Sequence, residues 1–355
     1  MAAKPTISDV AVRAGVSKGA VSFALNDKPG VSAQTRSRIV QAAAELGFTP
    51  SAAARALSVR RSDTLGLILT RDPDMLGSDP FFPPFMAGVE SVIAPMGRAL
   101  TLRFVELDQE AAAYTDIARS QRVDGVVVAD LRVDDPRPGL LAGLDLPFVT
   151  LNRPDVPSAG PAVCVDDRQG VKDALDHLIG LGHRVIAHVA GPRNYLHAKS
   201  RRDEWRRVLQ VNGLEVIEPA EADFTAAGGA YATEQLLDGA SAPTAILYSN
   251  DLMAMAGLAV ANRRGLRVPG ELSIVGYDDA ELAAHLHPPL STVRTDAYRW
   301  GRAAAATLME LIDRHRPDDV HLAPAKFIAR ESTGPAPDRT KPRTRKSATR
   351  EGVSP

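Results

Sequence analysis

A serine near the N-terminus is the first residue whose type and spacing suggest chemistry. Residues 15–19, GVSKG, match the G-x-S-x-G pattern of a hydrolase nucleophile elbow, in which a serine attacks a carbonyl carbon from a strand-to-helix turn. A helical pattern precedes Ser17, so we interpret this serine as a helix N-cap. His183 and the single Cys164 have no evident catalytic partners, and we find no G-x-G-x-x-G motif after a strand and no P-loop. The sequence argues against an enzyme and predicts no cofactor and no metal site.

The charge is distributed unevenly along the chain. Residues 1–61 contain nine Lys or Arg against three acidic residues, and residues 335–355 contain six against two, although the net charge of all 355 residues is -1. Because Lys and Arg release counterions from phosphates, we expect the N-terminal segment alone to meet a polyanion.

Length and composition indicate a modular globular protein. A chain of 355 residues with 45% hydrophobic residues suits two or three folded domains. The lone cysteine, the lack of a signal peptide and the lack of a membrane-spanning apolar run predict a cytoplasmic protein without membrane contact.

The first segment, residues 6–47, reads as three short helices. Residues that can cap a helix precede each one, namely Thr6, Ser17 and Ser32. The first helix should end at Gly15, the second should run from Lys18 to about Asn26, and the third should end before Gly47. The tight turn between the first two helices is typical of a helix-turn-helix.

From Thr64 onward, apolar runs alternate with helical segments. The predicted strands are Leu65–Leu69, Leu100–Val105, Gly125–Val128, Phe148–Leu151, Val185–Val189, Ala245–Tyr248 and Ser273–Val275. The predicted helices are 84–96, 168–181, 200–212, 227–238 and 252–264. Strands without polar alternation are typical of parallel sheets covered on both faces, so we expect a doubly wound α/β body in two lobes.

The motifs together resemble one family. The segment TISDVAVRAGVSKGAVSFALNDKPGVSAQTRSRIVQAAAELGFTPSAAARAL (6–57) resembles the headpiece of the lactose-repressor (LacI/GalR) family. Further segments are similar to that family, namely DPFFPPFMAGVE (79–90), LGHRVIAHVAG (181–191), SRRDEW (200–205), residues 249–279 and PPLSTV (288–293). The resemblance reaches Gly334 and implies an all-α helix-turn-helix headpiece plus an α/β two-lobed, periplasmic-binding-protein-like body.

The expected domain organisation follows from this resemblance. It comprises a DNA-binding headpiece (1–50), a hinge helix and linker (51–62), and an effector-binding and dimerisation domain (63–334). Within that domain we expect an N-lobe at about 63–162 and 292–322 and a C-lobe at about 163–291 and 323–334. Residues 335–355 should form a disordered basic tail.

The resemblance implies how the headpiece meets DNA. In the family the second helix lies in the major groove, and the hinge becomes helical on DNA and inserts a leucine, here Leu57, into the minor groove. Gly19 and Phe23 depart from the common pattern, so the resemblance does not give the operator sequence. Phe23 can pack on a thymine methyl or fold back onto the headpiece core, and Leu57 can instead pack between headpiece and body. The implied DNA-binding residues are Thr6, Ser17, Lys18, Gly19, Ser22, Phe23, Asn26, Arg55 and Leu57.

The resemblance also implies an effector site between the lobes. Arg201 aligns with the family's ligand-binding arginine, and several polar residues directly follow predicted strands, where open α/β sheets bind ligands. The implied effector-binding residues are Phe82, Asn152, Arg201, Phe224, Asn250 and Asp278. Structural alternatives stay open for three of them, because Asp278 can cap a turn, Asn250 can cap a helix and Phe82 can belong to the core.

These observations predict a homodimeric transcription regulator, a repressor, that binds a pseudo-palindromic operator. A small molecule, first a sugar and next a nucleoside or another polar metabolite, would change its operator affinity as inducer or corepressor. A solute-binding protein for uptake would share the body but would need an export signal and no headpiece.

Overall fold

The computed structural model describes residues 5–26, 28–48 and 61–338. Arg55, Leu57 and most of the predicted hinge segment lie outside the described residues, as does the chain from residue 339 onward. The hinge helix, the leucine wedge and the disordered basic tail therefore stay predictions.

The described chain contains twelve helices of the α type and twelve strands. The strands are β1 Thr64–Leu69, β2 Ala99–Phe104, β3 Gly125–Val128, β4 Phe148–Leu151, β5 Ala162–Cys164, β6 Ile186–Ala190, β7 Ala220–Glu221, β8 Ala245–Tyr248, β9 Ser273–Asp278, β10 Ser291–Arg294, β11 Val320–His321 and β12 Lys326–Ile328. The helices are α1 Ile7–Ala14, α2 Lys18–Leu25, α3 Ala33–Leu46, α4 Met75–Ser78, α5 Phe82–Ile93, α6 Glu110–Arg119, α7 Arg137–Gly143, α8 Arg168–Gly180, α9 Leu196–Val211, α10 Ala226–Asp238, α11 Asp251–Arg263 and α12 Ala297–Ile312.

Helices α1, α2 and α3 form the headpiece, as predicted. The Ser17 hydroxyl accepts a hydrogen bond from the Ala20 N–H at 3.1 Å, and Ser32 caps α3 through the Thr35 N–H at 3.2 Å. Gly15 ends α1 with a φ of 63°, the left-handed conformation that favours glycine. The helices share one small core, made of Val10, Ala11, Ala14, Val21, Ala24, Ile39, Ala42 and Ala43.

Two compact units make up the chain. The first contains the residues up to Leu76, Phe82–Cys164 and Ala297–Leu322. The second contains Gly77–Phe81, Val165–Asp296 and the residues from Ala323 onward. The lobe boundaries given by the sequence stay predictions. The first unit's last segment begins at Ala297, because β10 pairs with β9 in the sheet of the second unit.

Each unit has its own six-stranded sheet. The order is β2-β1-β3-β4-β5-β11 in the first unit and β7-β6-β8-β9-β10-β12 in the second. All paired strands run parallel except β12, which is antiparallel to β10. In each sheet the unit's second strand lies on one side of its first strand, and the third strand lies on the other side. This reversal of strand order makes a switch point between β1 and β3 in one sheet and between β6 and β8 in the other.

The seven strands predicted from sequence are confirmed, with ends within three residues. The five strands that were not predicted either have two or three residues, which is too short to give a hydrophobic period, or, in β10 (STVR), contain a single apolar residue. They are β5, β7, β10, β11 and β12. The predicted doubly wound α/β architecture is confirmed.

Two glycines allow α5 and α12 to pack with their backbones in contact. A Cβ atom at Gly88 would overlap the Tyr298 carbonyl oxygen, and one at Gly301 would overlap the Phe85 carbonyl oxygen. Neither obstacle is a flexible side chain, so neither can move aside without a shift of the helix.

We therefore expect Gly88→Ala to destabilise the first unit by about 1 to 3 kcal/mol, the usual cost of overpacking. Gly139→Ala is the matched control, because this helical glycine has nothing within 4 Å of an added Cβ, and alanine should be neutral or stabilising. Urea unfolding of both variants measures the difference. Equal free energies of unfolding for the two variants would contradict the backbone contact.

Candidate DNA-binding and effector-binding sites

The outer face of α2 presents the residues predicted to contact bases. Lys18 and Gly19 are exposed, and Phe23 is 44% exposed. Phe23 is not one of the core residues that join the three helices, and its ring lies beside Gly30, 3.5 Å from where a Cβ would stand there. The large apolar ring is therefore accessible from outside the headpiece.

Gly19 is not required by the packing of the headpiece. An added Cβ would have only the Ser17 Oγ within 4 Å, at 3.8 Å. Glycine in a helix costs roughly 1 kcal/mol relative to alanine, so the headpiece carries this cost without a packing reason of its own.

Polar residues in and around α2 also form hydrogen bonds that stabilise the headpiece helices. The Asn26 side-chain amide donates to the Ser22 carbonyl oxygen at 2.8 Å. Asp9 accepts hydrogen bonds from the Thr6 N–H at 2.7 Å and from its hydroxyl at 2.8 Å. Arg36 donates to the carbonyl oxygens of Ala24 and Lys28 and so satisfies the C-terminal end of α2.

In the second unit, the carboxyl ends of β6, β8 and β9 surround Arg201, which projects from α9. Its Nη1 donates to the Ser249 carbonyl oxygen at 2.7 Å, and its guanidinium carbon lies 3.5 Å from the centre of the Tyr277 ring. Its Nε is 3.6 Å from Asp167 Oδ2, an ion pair too long for a hydrogen bond. The sequence did not identify Asp167 and Tyr277 as neighbours of this arginine.

This cluster contains buried polar atoms that make no hydrogen bond within the described protein. Within the described residues, Asp167 Oδ2, Arg201 Nε and the Tyr277 hydroxyl have no hydrogen-bond partner. Burial raises the pKa of Asp167, and Arg201 and Ser200 oppose that effect. Burial lowers the pKa of Arg201, but Tyr277, Asp167 and Asp278 outweigh burial and raise it. Buried unpaired donors and acceptors are rare in folded proteins, so the cluster suits a ligand that brings hydrogen-bonding groups.

Phe224 follows β7 in a strained conformation that Asn250 holds. The φ of Phe224 is 67°, a left-handed value unfavourable for a bulky residue. The Asn250 amide donates to the Phe224 carbonyl oxygen at 2.9 Å, while its Oδ1 accepts from the Met253 N–H and caps α11. The Phe224 ring occupies the space that a side chain at Gly191 would take. Asn250 therefore fixes the position of Phe224 at this edge of the sheet.

Three aromatic rings lie together at this edge of the sheet. The His197 ring is stacked on Phe224 with centroids 5.4 Å apart, and Tyr195 is stacked on His197 at 5.5 Å. Sequence reasoning missed Tyr195 and His197, although they lie only six and four residues before Arg201. The structure thus brings Arg201, Phe224, Asn250 and Asp278 to one edge of the second sheet.

The two remaining predicted residues, Phe82 and Asn152, belong to the first unit. Phe82 is 2% exposed, and the Arg71 guanidinium lies 5.4 Å from its ring centroid. Arg71 forms a two-bond pair with Asp130, at 2.6 Å and 2.7 Å. Asn152 follows β4 with a φ of 66°. Arg71 and Asp130 follow β1 and β3 at the switch point of this sheet, a signal by which the sequence could have revealed them.

His188 supports the second unit's cluster from within β6. Its Nδ1 donates to the Leu247 carbonyl oxygen at 2.9 Å, so its Nε2 carries no proton and faces the Ser249 hydroxyl at 3.5 Å. Its ring is stacked on Trp205 with centroids 5.7 Å apart. Burial lowers the pKa of His188 to about 4, so the ring is neutral at physiological pH.

Neither a metal site nor a membrane span was found in the described part of the chain. Residues 5–26, 28–48 and 61–338 contain no group of three His, Cys, Asp or Glu side chains suited to a metal ion. No helix in those ranges is both long and apolar enough to cross a membrane.

Comparison with known proteins finds relatives of both the headpiece and the α/β body. Residues 6–51 match the family model described as bacterial regulatory proteins, lacI family, and residues 175–333 match the periplasmic binding protein-like domain. The HTH-type transcriptional regulator CelR of Thermobifida fusca is 34% identical over 93% of this chain and 98% of its own length. The HTH-type transcriptional repressor CytR of Escherichia coli K12 is 31% identical over 94% of this chain and 97% of its own length.

Solved structures give the same result. The lac repressor dimer bound to operator and the anti-inducer ONPF has a TM-score of 0.81 at 29% identity, covering 94% of this chain and 100% of that one. The CelR–cellobiose complex has a TM-score of 0.71 at 33% identity, covering 92% and 99%.

A helix-turn-helix headpiece joined to two doubly wound units defines a DNA-binding transcription regulator with a periplasmic-binding-protein-like body. The chain belongs to the LacI family of bacterial regulatory proteins. The resemblance, fold class and regulatory function predicted from sequence are confirmed, and the protein is a regulator rather than an enzyme. The individual DNA-binding and effector-binding residues stay predictions.

The neutral buried His188 gives a pH dependence of stability. Its pKa is about 4 in the folded protein, against 6.5 for an unperturbed histidine, so the unfolded chain binds the proton more strongly. The contribution of neutral His188 to stability is therefore full above pH 6.5 and falls as the pH drops toward 4, by about 2 kcal/mol between pH 7.5 and pH 5.

Urea unfolding gives the change in the free energy of unfolding between pH 7.5 and pH 5, and this change should be about 2 kcal/mol more favourable in His188→Gln than in the wild type. His315→Gln, which changes an exposed histidine, is the control and should show the same change as the wild type. An unchanged pH dependence in His188→Gln would exclude this histidine as the source.

Proposed function

We propose that the protein is a homodimeric repressor that binds a pseudo-palindromic operator and changes its operator affinity when a sugar binds to its body. The exposed face of α2, with Lys18, Gly19 and Phe23 on a capped and packed headpiece, supports the DNA-binding part. A protein that acts on chromosomal DNA of a bacterium works in the cytoplasm.

The chemistry of α2 supports a specific contact in the major groove. Lys18 can donate to guanine O6 and N7, and the exposed Phe23 ring can pack on a thymine methyl. Gly19 lets the helix backbone come close to the DNA. Thr6, Ser17, Ser22 and Asn26 lie nearer the phosphates, and Arg55 and Leu57 would act in the hinge.

A sugar suits the cluster around Arg201. Its hydroxyls can donate to Asp167 and Asp278 and accept from Arg201, while its C–H faces can pack on the rings of Tyr195, His197 and Phe224. The relative CelR has a structure with cellobiose, which supports this class of effector. A nucleoside is the second candidate, because a base can also stack on these rings and CytR and PurR are among the relatives.

Gly19→Ala separates headpiece stability from DNA binding. We expect alanine to stabilise α2 by up to about 1 kcal/mol, since nothing in the protein obstructs the new methyl group. The same methyl would stand between the helix and the groove, so operator affinity should fall at least tenfold. An operator selected from random duplexes with the wild type, followed by fluorescence anisotropy, measures the affinity.

Gly139→Ala, in the first unit, is the control and should leave operator affinity unchanged. If Gly19→Ala binds the selected operator as well as the wild type does, α2 does not approach the DNA at this residue.

Arg201→Met tests the effector site, because methionine keeps the stem and removes the guanidinium group. In a thermal-shift screen of sugars and nucleosides that begins with cellobiose, we expect a sugar to stabilise the wild type. The variant should bind that sugar more than tenfold more weakly, since hydrogen bonds to charged groups are lost.

Arg206→Met is the matched control, because Arg206 lies on the same helix and its 3.8 Å ion pair with Asp203 joins two exposed side chains. Circular dichroism shows whether each variant folds. Stabilisation of the wild type by nucleosides alone would replace the sugar proposal, and equal ligand affinity of Arg201→Met and the wild type would remove Arg201 from the site.

A further inference from the structure

The turn that follows β9 holds Asp278 in an unusual backbone conformation. Asp278 has a φ of 116° and Asp279 a φ of 59°, so two consecutive residues other than glycine have left-handed values. Such conformations cost roughly 1 to 3 kcal/mol each unless the surrounding structure fixes them. The groups that fix this turn therefore decide where the Asp278 carboxylate lies.

Asp251, the first residue of α11, is the main support of this turn. Its Oδ2 accepts a hydrogen bond from the Ala280 N–H at 2.7 Å, and its Oδ1 accepts one from the Thr292 hydroxyl at 2.6 Å. The side chain is fully buried, and its carboxylate lies so close to Gly276 that a Cβ there would overlap it. One carboxylate thus joins α11, β10, the middle of β9 and the turn.

Two charged side chains and one hydroxyl group of the described residues face the Asp251 carboxylate. Asp279 approaches from the turn and Arg330 from the segment after β12, while Thr292 belongs to β10. Asp279 is itself ion-paired with Arg294 at 2.5 Å and with Arg330 at 2.6 Å. Burial raises the pKa of Asp251 to about 7, against the hydrogen bonds from Thr292 and Ala280. Charged and protonated forms of Asp251 are therefore both populated near neutral pH.

Protonation would change the hydrogen bonds in a defined way. The Ala280 N–H can only donate, so the proton must sit on Oδ1, from which it donates to the Thr292 oxygen. The Thr292 hydroxyl hydrogen must then point elsewhere. The turn loses a hydrogen bond to a charged oxygen and keeps a weaker one to a neutral carboxyl group.

We propose that Asp251 is the positioning residue for Asp278, and that its charge state sets how firmly the 278–280 turn is held. Resting on the proposed effector site, this gives the regulator a proton-dependent effector affinity, stronger when Asp251 is charged. Asp251 itself does not contact the effector.

Hydrogen–deuterium exchange of the full-length protein tests the support of the turn without any ligand. After correction for the chemical exchange rate, the wild-type segment 278–283 should exchange roughly tenfold faster at pH 6 than at pH 8. Asp251→Asn resembles the protonated acid, because its amide oxygen can accept from Ala280 and its NH2 can donate to Thr292. This variant should exchange rapidly at both pH values.

Thr233→Val is the control, since it removes a buried hydroxyl bonded to Tyr248 in the same unit without touching the turn. It should exchange as the wild type does in 278–283. The proposal is overturned if Asp251→Asn exchanges as slowly as the wild type at pH 8, or if Thr233→Val loosens the turn equally.

A second measurement connects the turn to ligand binding. Calorimetric titration with cellobiose should give an affinity several-fold weaker at pH 6 than at pH 8 in the wild type, and a weak, pH-independent affinity in Asp251→Asn. A pH dependence that persists in Asp251→Asn refutes the link to affinity. Absence of cellobiose binding at both pH values counts against the proposed effector, whereas the exchange experiment still decides the role of Asp251.

Discussion

Parallel pairing of β6, β8 and β9 is the constraint on which the candidate effector site depends. Parallel strands end at the same edge, so Gly191, Ser249 and Asp278 come together although the sequence separates them widely. The edge also presents carbonyl oxygens that the sheet does not use. Arg201 binds one of them, that of Ser249, and is thereby fixed in a place that its flexible side chain would not keep alone.

This arrangement is maintained by side chains that offset backbone strain. Asn250 holds the left-handed Phe224, and Asp251, the next residue, holds the turn that contains Asp278 and Asp279. Two neighbouring residues at the start of α11 therefore position both the aromatic and the acidic parts of the site. The helix N-terminus fixes Asn250 directly, because the Asn250 Oδ1 accepts from the Met253 N–H, whereas both Asp251 oxygens point away from the helix to Ala280 and Thr292.

Sequence reasoning predicted what local pattern determines. The headpiece helices followed from the residues that cap and end them, and the long strands followed from apolar runs. It could not place Asp167 beside Arg201 or Tyr195 beside Phe224, because these contacts arise only when helices α8 and α9 dock on the sheet. The alternatives left open for Asn250 and Phe82 have the same origin, since capping, packing and ligand contact require the same residue types at the end of a strand. Asn250 shows that capping and support of the site can be combined in one amide.

The headpiece shows why its charge alone cannot account for operator recognition. Among its basic residues, Arg13 is paired with Glu45 at 2.6 Å and Arg36 is bound to two carbonyl oxygens at the end of α2. These side chains stabilise the fold and have less freedom to follow a phosphate. Lys18 lies instead on the exposed face of α2 with Gly19 and Phe23. Within two turns, this face therefore offers a hydrogen-bond donor, a position without a side chain and an apolar ring. Attraction to phosphates is largely independent of the DNA sequence, whereas a donor, an apolar ring and a close backbone approach each favour different base pairs. We therefore expect operator specificity to depend more on the shape and polarity of α2 than on the total charge of the headpiece.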